Sequence, residues 1–146
     1  MNQVHIFLIA FLCSLVFAAT ATAHVTETPH THHKNQEGID TAGLWLKLVD
    51  EEKYNASWQT AARVFKDAVT SGQWVKTVSG IRSAMGPVIE RRLFHDRFTT
   101  ALPGMPDGEY IIIRFVTGFK NKQSAVETVS LVKENDTWKV AGYFIK

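Results

Sequence analysis

Four of the six histidines lie within residues 24–33 and could bind a metal ion. Imidazole nitrogens are ligands for copper, nickel and zinc. The segment supplies no carboxylate or histidine at helical spacing that would complete a rigid site, and a flexible chain loses entropy when it wraps an ion. The alternative is a solvated tail that binds nothing. The candidate ligands are His24, His30, His32 and His33.

His95 is the one histidine in the segment that we predict to fold, which begins at Ile39. It is therefore the candidate general base near neutral pH. Strand alternation places its neighbour Asp96 on the opposite face, so the two do not form a dyad. Glu90 and Asp96 are the carboxylates that could act in its place. The alternative is a structural or exposed histidine with no catalytic role.

Arginines in the folded segment could anchor an anionic ligand, because a guanidinium presents a planar fork of donors to carboxylates and phosphates. We place these arginines in a concavity of the fold. For Arg114 the alternative is a cross-strand ion pair with Glu127, and such a pair contributes only about 0.2 to 1 kcal/mol. The predicted ligand-binding residues are Arg82, Arg92, Tyr110, Arg114 and Glu127.

Apolar residues at a spacing near four predict three helices before Pro87. The first begins at Asp40 or Thr41 and ends near Glu52, and the second begins at Asn55 or Ser57 and ends at Ser71-Gly72. The third covers 73–85 and ends at Gly86-Pro87, since proline lacks an N–H and glycine tolerates a positive φ.

Beyond Pro87 the apolar period changes to two, which predicts four strands over 88–98, 110–119, 126–133 and 137–145. Their short connections favour antiparallel neighbours. The sequence thus predicts a single α+β domain, with three helices packed on one face of a curved four-stranded antiparallel meander. The tryptophans lie at core spacing in these elements, so we assign them to packing rather than to a binding box. They are Trp45, Trp58, Trp74 and Trp138.

The apolar run from Ile6 to Ala19, followed by Ala21-Thr22-Ala23, predicts a signal peptide of residues 1–23. The run is shorter than the roughly 20 residues that span a bilayer, so we expect no stable membrane anchor after cleavage. We therefore expect a periplasmic or secreted protein, with a flexible histidine-rich tether at 24–38 and the domain at 39–146. Cys13 is the only cysteine, and its removal leaves the mature chain without thiol chemistry.

The charge balance argues against a nucleic-acid partner. The formal net charge is +2, and along the sequence the basic residues are interspersed with acidic ones rather than gathered in a stripe. We expect no cofactor, because no motif in the chain indicates one.

Several motifs resemble one family of exported proteins, the domain of unknown function 4019. The resemblance covers about residues 41–146, and it implies the fold and the compartment without implying an activity. The order of elements is also similar to the cone-shaped fold of nuclear transport factor 2 and ketosteroid isomerase. The family motifs are Trp45-Leu46-x-Leu48-Val49-Asp50, Tyr54, Ser57-Trp58, Trp74, Arg82, Gly86, Arg91, Leu102-Pro103-Gly104-x-Pro106-Asp107-Gly108-x-Tyr110, Phe115, Phe119 and Trp138-Lys139-Val140-x-Gly142-Tyr143.

The function that these observations favour is an exported, non-enzymatic binding or interaction domain. Its small molecule or protein partner would lie in the concavity between helices and sheet. An isomerase- or hydratase-like enzyme that uses His95 or a strand carboxylate is the alternative, and it requires such a group inside an apolar pocket. Metal buffering by the histidine-rich tail is a third, weaker alternative.

Overall fold

The computed structural model describes residues 29–146, with side chains from residue 35 onward. Within residues 29–146 four helices precede four strands, which confirms the predicted α+β class with one helix more than expected. The predicted signal peptide and His24 lie outside the described residues, as do the side chains of the other three tail histidines. The elements are α1 (Pro29–Asp50), α2 (Tyr54–Thr60), α3 (Arg63–Ala68), α4 (Ser71–Met85), β1 (Val88–Thr99), β2 (Tyr110–Phe119), β3 (Lys122–Glu134) and β4 (Thr137–Ile145).

The predicted start of the first helix is wrong, because α1 begins at Pro29 rather than at Asp40 or Thr41. Part of the predicted tether is therefore helical and packs on the sheet. Gly38 is buried, and a Cβ on it would lie 2.5 Å from Cδ1 of Ile111. Asn35 donates a 2.6 Å hydrogen bond to the Asp96 carboxylate. Both contacts join residues that are far apart in sequence, so local periodicity could not reveal them.

The predicted second helix is divided into α2 and α3 by an extended segment at Ala61 and Ala62. In this segment the N–H of Ala62 donates to the Val140 carbonyl of β4, at 2.8 Å. The interruption thus satisfies a carbonyl on an edge strand that would otherwise stay open to another chain.

Helix α4 has a capping box at its start, where Thr70 and Gln73 satisfy each other's backbone N–H groups. It ends at Gly86, whose φ of 75° favours glycine, as the sequence predicted.

The strands form one antiparallel sheet in the order β1-β2-β3-β4, so the predicted meander is confirmed. Strands β2 and β4 have the predicted bounds, and β3 begins earlier than predicted, at Lys122. Positive φ angles at Asn135 and Asp136 make the tight turn between β3 and β4.

Two bulges in β1 change which side chains face the helices. The register shifts between Val88 and Glu90 and again between Leu93 and His95, which leaves Ile89 and Phe94 without a partner on β2. Before the second bulge, Arg91 faces inward beside Thr117. Beyond it, Asp96 faces inward beside Ile113.

The core fills the space between the helices and the inner face of the sheet. An aromatic cluster occupies its centre, with ring centroids 5.7 Å apart for Trp45 and Trp74 and 5.5 Å apart for Trp45 and Tyr143. Trp45, Trp74 and Trp138 are buried, as predicted, and Trp58 is half-buried with its indole N–H donating to the Val69 carbonyl. The described residues contain no helix long and apolar enough to span a membrane.

Candidate functional site

Glu127 lies at the centre of a buried polar cluster beneath the helices. Its side chain is fully buried. The Thr117 hydroxyl donates to Oε2 at 2.5 Å, and the Tyr143 hydroxyl donates to Oε1 at 2.6 Å. Arg91 Nε donates to Oε2 at 2.7 Å, and Arg82 Nη1 lies 3.5 Å from Oε1. These four donors come from β1, β2, β4 and α4, and together they occupy the acceptor positions of the Glu127 carboxylate.

Asp50 supplies the second carboxylate of this buried cluster from the last residue of α1. Arg82 Nη2 donates to Asp50 Oδ1 at 2.5 Å, and Arg91 donates to both Asp50 oxygens, at 2.7 and 2.9 Å. Two guanidinium groups thus face two carboxylates, and the formal charges cancel. The Arg82 guanidinium also lies over the Phe119 ring, 4.7 Å from its centroid.

The cluster raises the pKa of two of its members, Arg91 and Tyr143. Burial opposes the charge on Arg91, but hydrogen bonds to Asp50 and Glu127 outweigh it and raise the pKa of Arg91. Burial, followed by the charge of Glu127, raises the pKa of Tyr143 well above its usual value. Tyr143 consequently keeps its proton and remains a donor to Glu127.

The buried cluster is built to hold elements together rather than to bind a ligand. Its residues come from α1, α4 and each of the four strands, so it connects the helical layer to the sheet. Each carboxylate already accepts from both arginines, which leaves no free charge to recruit an anion. Arg82 and Glu127 are both predicted ligand-binding residues. The structure brings the two side chains together, and they contact one another and their neighbours.

Arg92 and Arg114 lie on the opposite, outer face of the sheet, which no described element covers. In the strand register Arg92 is opposite Val116, His95 is opposite Arg114, and Arg97 is opposite Ile112. All four basic side chains are exposed. Among the described residues, no ion pair or hydrogen bond engages the side chains of the three arginines. We call these four residues, Arg92, His95, Arg97 and Arg114, the basic face.

The predicted pair between Arg114 and Glu127 is wrong. Register places Glu127 opposite Phe115, with its side chain on the inner face, and it places Arg114 opposite Thr128 on the outer face. Successive residues of a strand face opposite sides of the sheet, so a displacement of one residue from direct pairing places Arg114 and Glu127 on opposite faces.

Tyr110, the remaining predicted ligand residue, is buried at the end of β2, away from both groups of arginines. Its hydroxyl donates to the Pro106 carbonyl at 2.6 Å. Burial, followed by the charge of Asp107, raises its pKa. Its contacts give it a part in fixing the turn-rich loop before β2.

The predicted catalytic groups do not converge. His95 and Glu90 are exposed, opposite Arg114 and Gly118 respectively. Asp96 is half-buried on the inner face, where its carboxylate accepts from Asn35. None of the three lies in an apolar pocket, which the isomerase- or hydratase-like alternative requires.

A hollow of about 650 Å³ lies where α1 and the end of α2 approach the start of β4. Leu44, Leu48 and Val140 contribute apolar wall. The charged residues at this hollow neutralise one another in part, since Lys53 and Lys47 lie 2.8 and 3.8 Å from the Glu51 carboxylate. Trp138 also lines the hollow, and its buried indole N–H has no hydrogen-bond partner among the described residues.

The histidine, cysteine and carboxylate side chains of the described residues form no group of three or more that could hold a metal ion. The side chains of the tail histidines lie outside the described residues, so the metal-buffering alternative rests on the sequence alone.

Comparison with known proteins identifies the family. The family model for "Protein of unknown function (DUF4019)" matches residues 41–143. The chain belongs to this family. The predicted resemblance is thereby confirmed over nearly the whole predicted domain. Among curated proteins, none matches the chain.

A solved structure similar to the chain is described as "Putative NTF2-like transpeptidase from Campylobacter jejuni". The two share 18% sequence identity with a TM-score of 0.44, over 69% of this chain and 94% of the other.

Sequence reasoning did not place Asp50, Arg91, Thr117 and Tyr143 around Glu127. A signal was nevertheless present. Glu127 shares its strand parity with the apolar Val129 and Leu131, and all three are fully buried. A carboxylate at an inward position must find charged partners inside the fold, because an unpaired buried charge is very costly.

Proposed function

We propose that the protein is a non-enzymatic binding module that holds an anionic partner on the outer face of its sheet. One observation carries the proposal: Arg92, Arg97 and Arg114 are exposed there without an ion-pair partner among the described residues. The arginines of the interior differ, since Arg82 and Arg91 are neutralised by carboxylates. The fold therefore uses one pair of guanidinium groups in internal ion pairs and exposes a second set to solvent.

The distribution of acidic residues on the strands increases the positive potential of the outer face. Asp96 and Glu127 point inward, and Glu134 accepts a hydrogen bond from the N–H of Arg63 in the helical layer. Among the strand carboxylates of the described residues, register leaves Glu90 and Glu134 on the outer face, and Glu134 lies at its far end, 3.5 Å from Lys139. The charges that are interspersed along the sequence are thus separated by the fold, and a face of one sign attracts a partner of the opposite sign.

The first test measures binding of the full chain to fluorescent poly-L-glutamate by anisotropy. Arg92→Gln combined with Arg114→Gln should weaken binding by about tenfold or more, because carboxylates lose their bidentate partners. Raising the salt concentration should weaken the remaining binding further, since exposed charges are screened.

The matched control is Arg63→Gln combined with Lys76→Gln. It removes the same charge from exposed positions on the helices. It should change the affinity less than about threefold if the outer face is the site. Equal losses for the two double variants would show that binding follows net charge alone, and that result would overturn the proposal.

A second candidate function is the binding of a ligand at the boundary between helices and sheet, in the hollow beside β4. The observation that favours it is the unpartnered indole N–H of Trp138 among apolar wall residues. The probe is 1-anilinonaphthalene-8-sulfonate, an apolar anion. Leu44→Glu should abolish its fluorescence with the folded chain, whereas Phe94→Glu should not. If Phe94→Glu abolished the fluorescence and Leu44→Glu did not, the hollow would not be the binding site.

We also propose export, on the strength of the apolar run 6–19 and the small residues Ala21 and Ala23. Intact mass of the protein recovered from the periplasm or medium should correspond to a chain that begins at His24. Recovery of a chain that retains residues 1–23 from that compartment would contradict the proposed cleavage.

A further inference from the structure

Exposed hydrophobic side chains cluster on β1, the strand that carries three residues of the basic face. Five large hydrophobic side chains are exposed in the described part of the chain, and three of them, Ile89, Leu93 and Phe94, lie on this strand. Ile89 is 70% exposed and Phe94 is 66% exposed. Single exposed apolar residues are ordinary on protein surfaces, but a group on one strand is typical of an interaction site.

The bulges explain why two of these side chains, Ile89 and Phe94, are exposed, whereas Leu93 is paired with Phe115. Ile89 and Phe94 are the residues that the two register shifts leave without a partner on β2. An extra residue at a bulge bends the strand and changes the direction of side chains. Phe94 thereby stands between Arg92 and His95 along β1, with its ring accessible to solvent.

The same bulges argue against a partner that simply adds a strand to the sheet. β1 is an edge strand, and its irregular backbone does not offer the even row of N–H and C=O groups that strand addition needs. Recognition at this strand must therefore rely on side chains.

A row of outer-face residues extends the surface across the sheet. His95 is opposite Arg114, Arg114 is opposite Thr128, and Thr128 is opposite Phe144. Phe144 is 47% exposed at the far end of this row. With strands about 4.8 Å apart, the row spans roughly 14 Å, which suits a short segment of polypeptide.

The composition of the surface indicates the chemistry of its partner. Aromatic residues and arginines are enriched among the residues that dominate protein interfaces. Arginine forks match carboxylates, and an exposed ring gains most from burial under an apolar side chain. A second copy that docked through the same face would place arginine against arginine, with Glu90 and the already paired Glu134 as the strand carboxylates of the described outer face to relieve the repulsion.

We infer that the basic face and Phe94 together bind an acidic segment of another protein, one in which carboxylates alternate with apolar side chains. The inference rests on the proposed function and adds the apolar anchor to it. The carboxylates engage Arg92, Arg97 and Arg114, and an apolar side chain of the segment packs on Phe94.

The experiment compares two fluorescent peptides as long as β1, one alternating Glu with Leu and one alternating Glu with Ser. The full chain should bind the Glu-Leu peptide at least about tenfold more tightly. Phe94→Ser should remove that preference while leaving binding of the Glu-Ser peptide unchanged. Ala84→Ser, at an exposed position on α4 outside both candidate sites, is the control and should leave both affinities unchanged.

The outcomes separate this inference from the proposed function. Equal binding of the two peptides, or a Glu-Leu preference that survives Phe94→Ser, overturns the inference. If binding of both peptides stays sensitive to Arg92→Gln, the anionic site itself stands. Stronger binding to phosphatidylglycerol vesicles than to either peptide, or a dimer that Phe94→Ser disrupts, would assign the surface to a membrane or to a second copy and would also overturn the inference.

Discussion

Arg91 Nε lies 2.7 Å from Glu127 Oε2, although the two residues are 36 positions apart and belong to strands that are not neighbours. The contact passes across β2, beneath the helices, where Thr117 donates to the same oxygen. It is possible because the inward side chain of Arg91 is long enough to reach beyond the adjacent strand. Through Asp50, the same guanidinium reaches the end of α1.

Glu127→Gln should destabilise the domain by about 3 to 5 kcal/mol, because it leaves the buried guanidinium of Arg82 and the partly buried one of Arg91 with a single carboxylate. Urea unfolding of the full chain measures the change. Glu90→Gln, at an exposed position on the same sheet, should lie within about 0.5 kcal/mol of the native protein. Similar values for the two variants would contradict the account of the buried cluster.

Arg82→Gln and Arg92→Gln should separate a structural arginine from an available one. Arg82 is 6% exposed and contacts the buried Glu127 and the partly buried Asp50, so its loss should cost about 3 to 5 kcal/mol. Arg92 is exposed, and its replacement should change stability by less than about 0.5 kcal/mol. Thermal melts followed by circular dichroism check both. A large loss for Arg92→Gln would place that residue among the internal contacts instead.

The strands and turns were predictable because their signals are local. Alternation and turn residues gave β2 and β4 their observed bounds. The early start of α1 was not predictable in this way, because it depends on contacts of Asn35 with Asp96 and of Gly38 with Ile111. From sequence alone, a polar segment that contains glycine is typical of a flexible tether. The surface of the sheet on which it packs becomes evident only in the folded structure.

The candidate sites were predictable only in part, for two physical reasons. Strict alternation fails at Phe94, where a bulge reverses the parity of every later residue of β1. The sequence also gives no signal for which arginine meets a carboxylate. Arg82 and Arg92 have the same chemistry, and their different roles follow from the tertiary placement of Asp50 and Glu127.

Tyr143 makes the stability sensitive to alkaline pH. Its pKa is raised in the folded state, first by burial and then by Glu127, whereas an unfolded tyrosine titrates at about 10. Below pH 10 the tyrosine keeps its proton in both the folded and the unfolded state, so its contribution to the free energy of unfolding is fully present. Above it the unfolded state binds fewer protons, so the free energy of unfolding falls by up to about 1.4 kcal/mol per pH unit for this group.

Tyr143→Phe should therefore reduce the alkaline slope of stability, which urea titrations between about pH 8 and 11 measure. Some slope should remain, because burial also raises the pKa of Tyr54 and of Tyr110. An unchanged slope in Tyr143→Phe would show that the hydroxyl does not hold its proton against Glu127.

Two glycines of α1 provide a test of how its first half packs. Gly43 is exposed, with no atom within 4 Å of an added Cβ, so Gly43→Ala should stabilise the domain by about 0.5 to 1 kcal/mol through helix propensity. Gly38 is buried against Ile111, which is itself fully buried. Gly38→Val must displace that side chain and should destabilise the domain by about 1 to 3 kcal/mol.

Urea unfolding of the two variants in the full chain decides whether this segment belongs to the folded unit. If the helix before Asp40 packs on β2, the variants must move stability in opposite directions. If that segment is instead a free tether, valine at position 38 meets no neighbour, and Gly38→Val should leave stability unchanged while Gly43→Ala still raises it. That second pattern would restore the predicted helix start at Asp40 or Thr41.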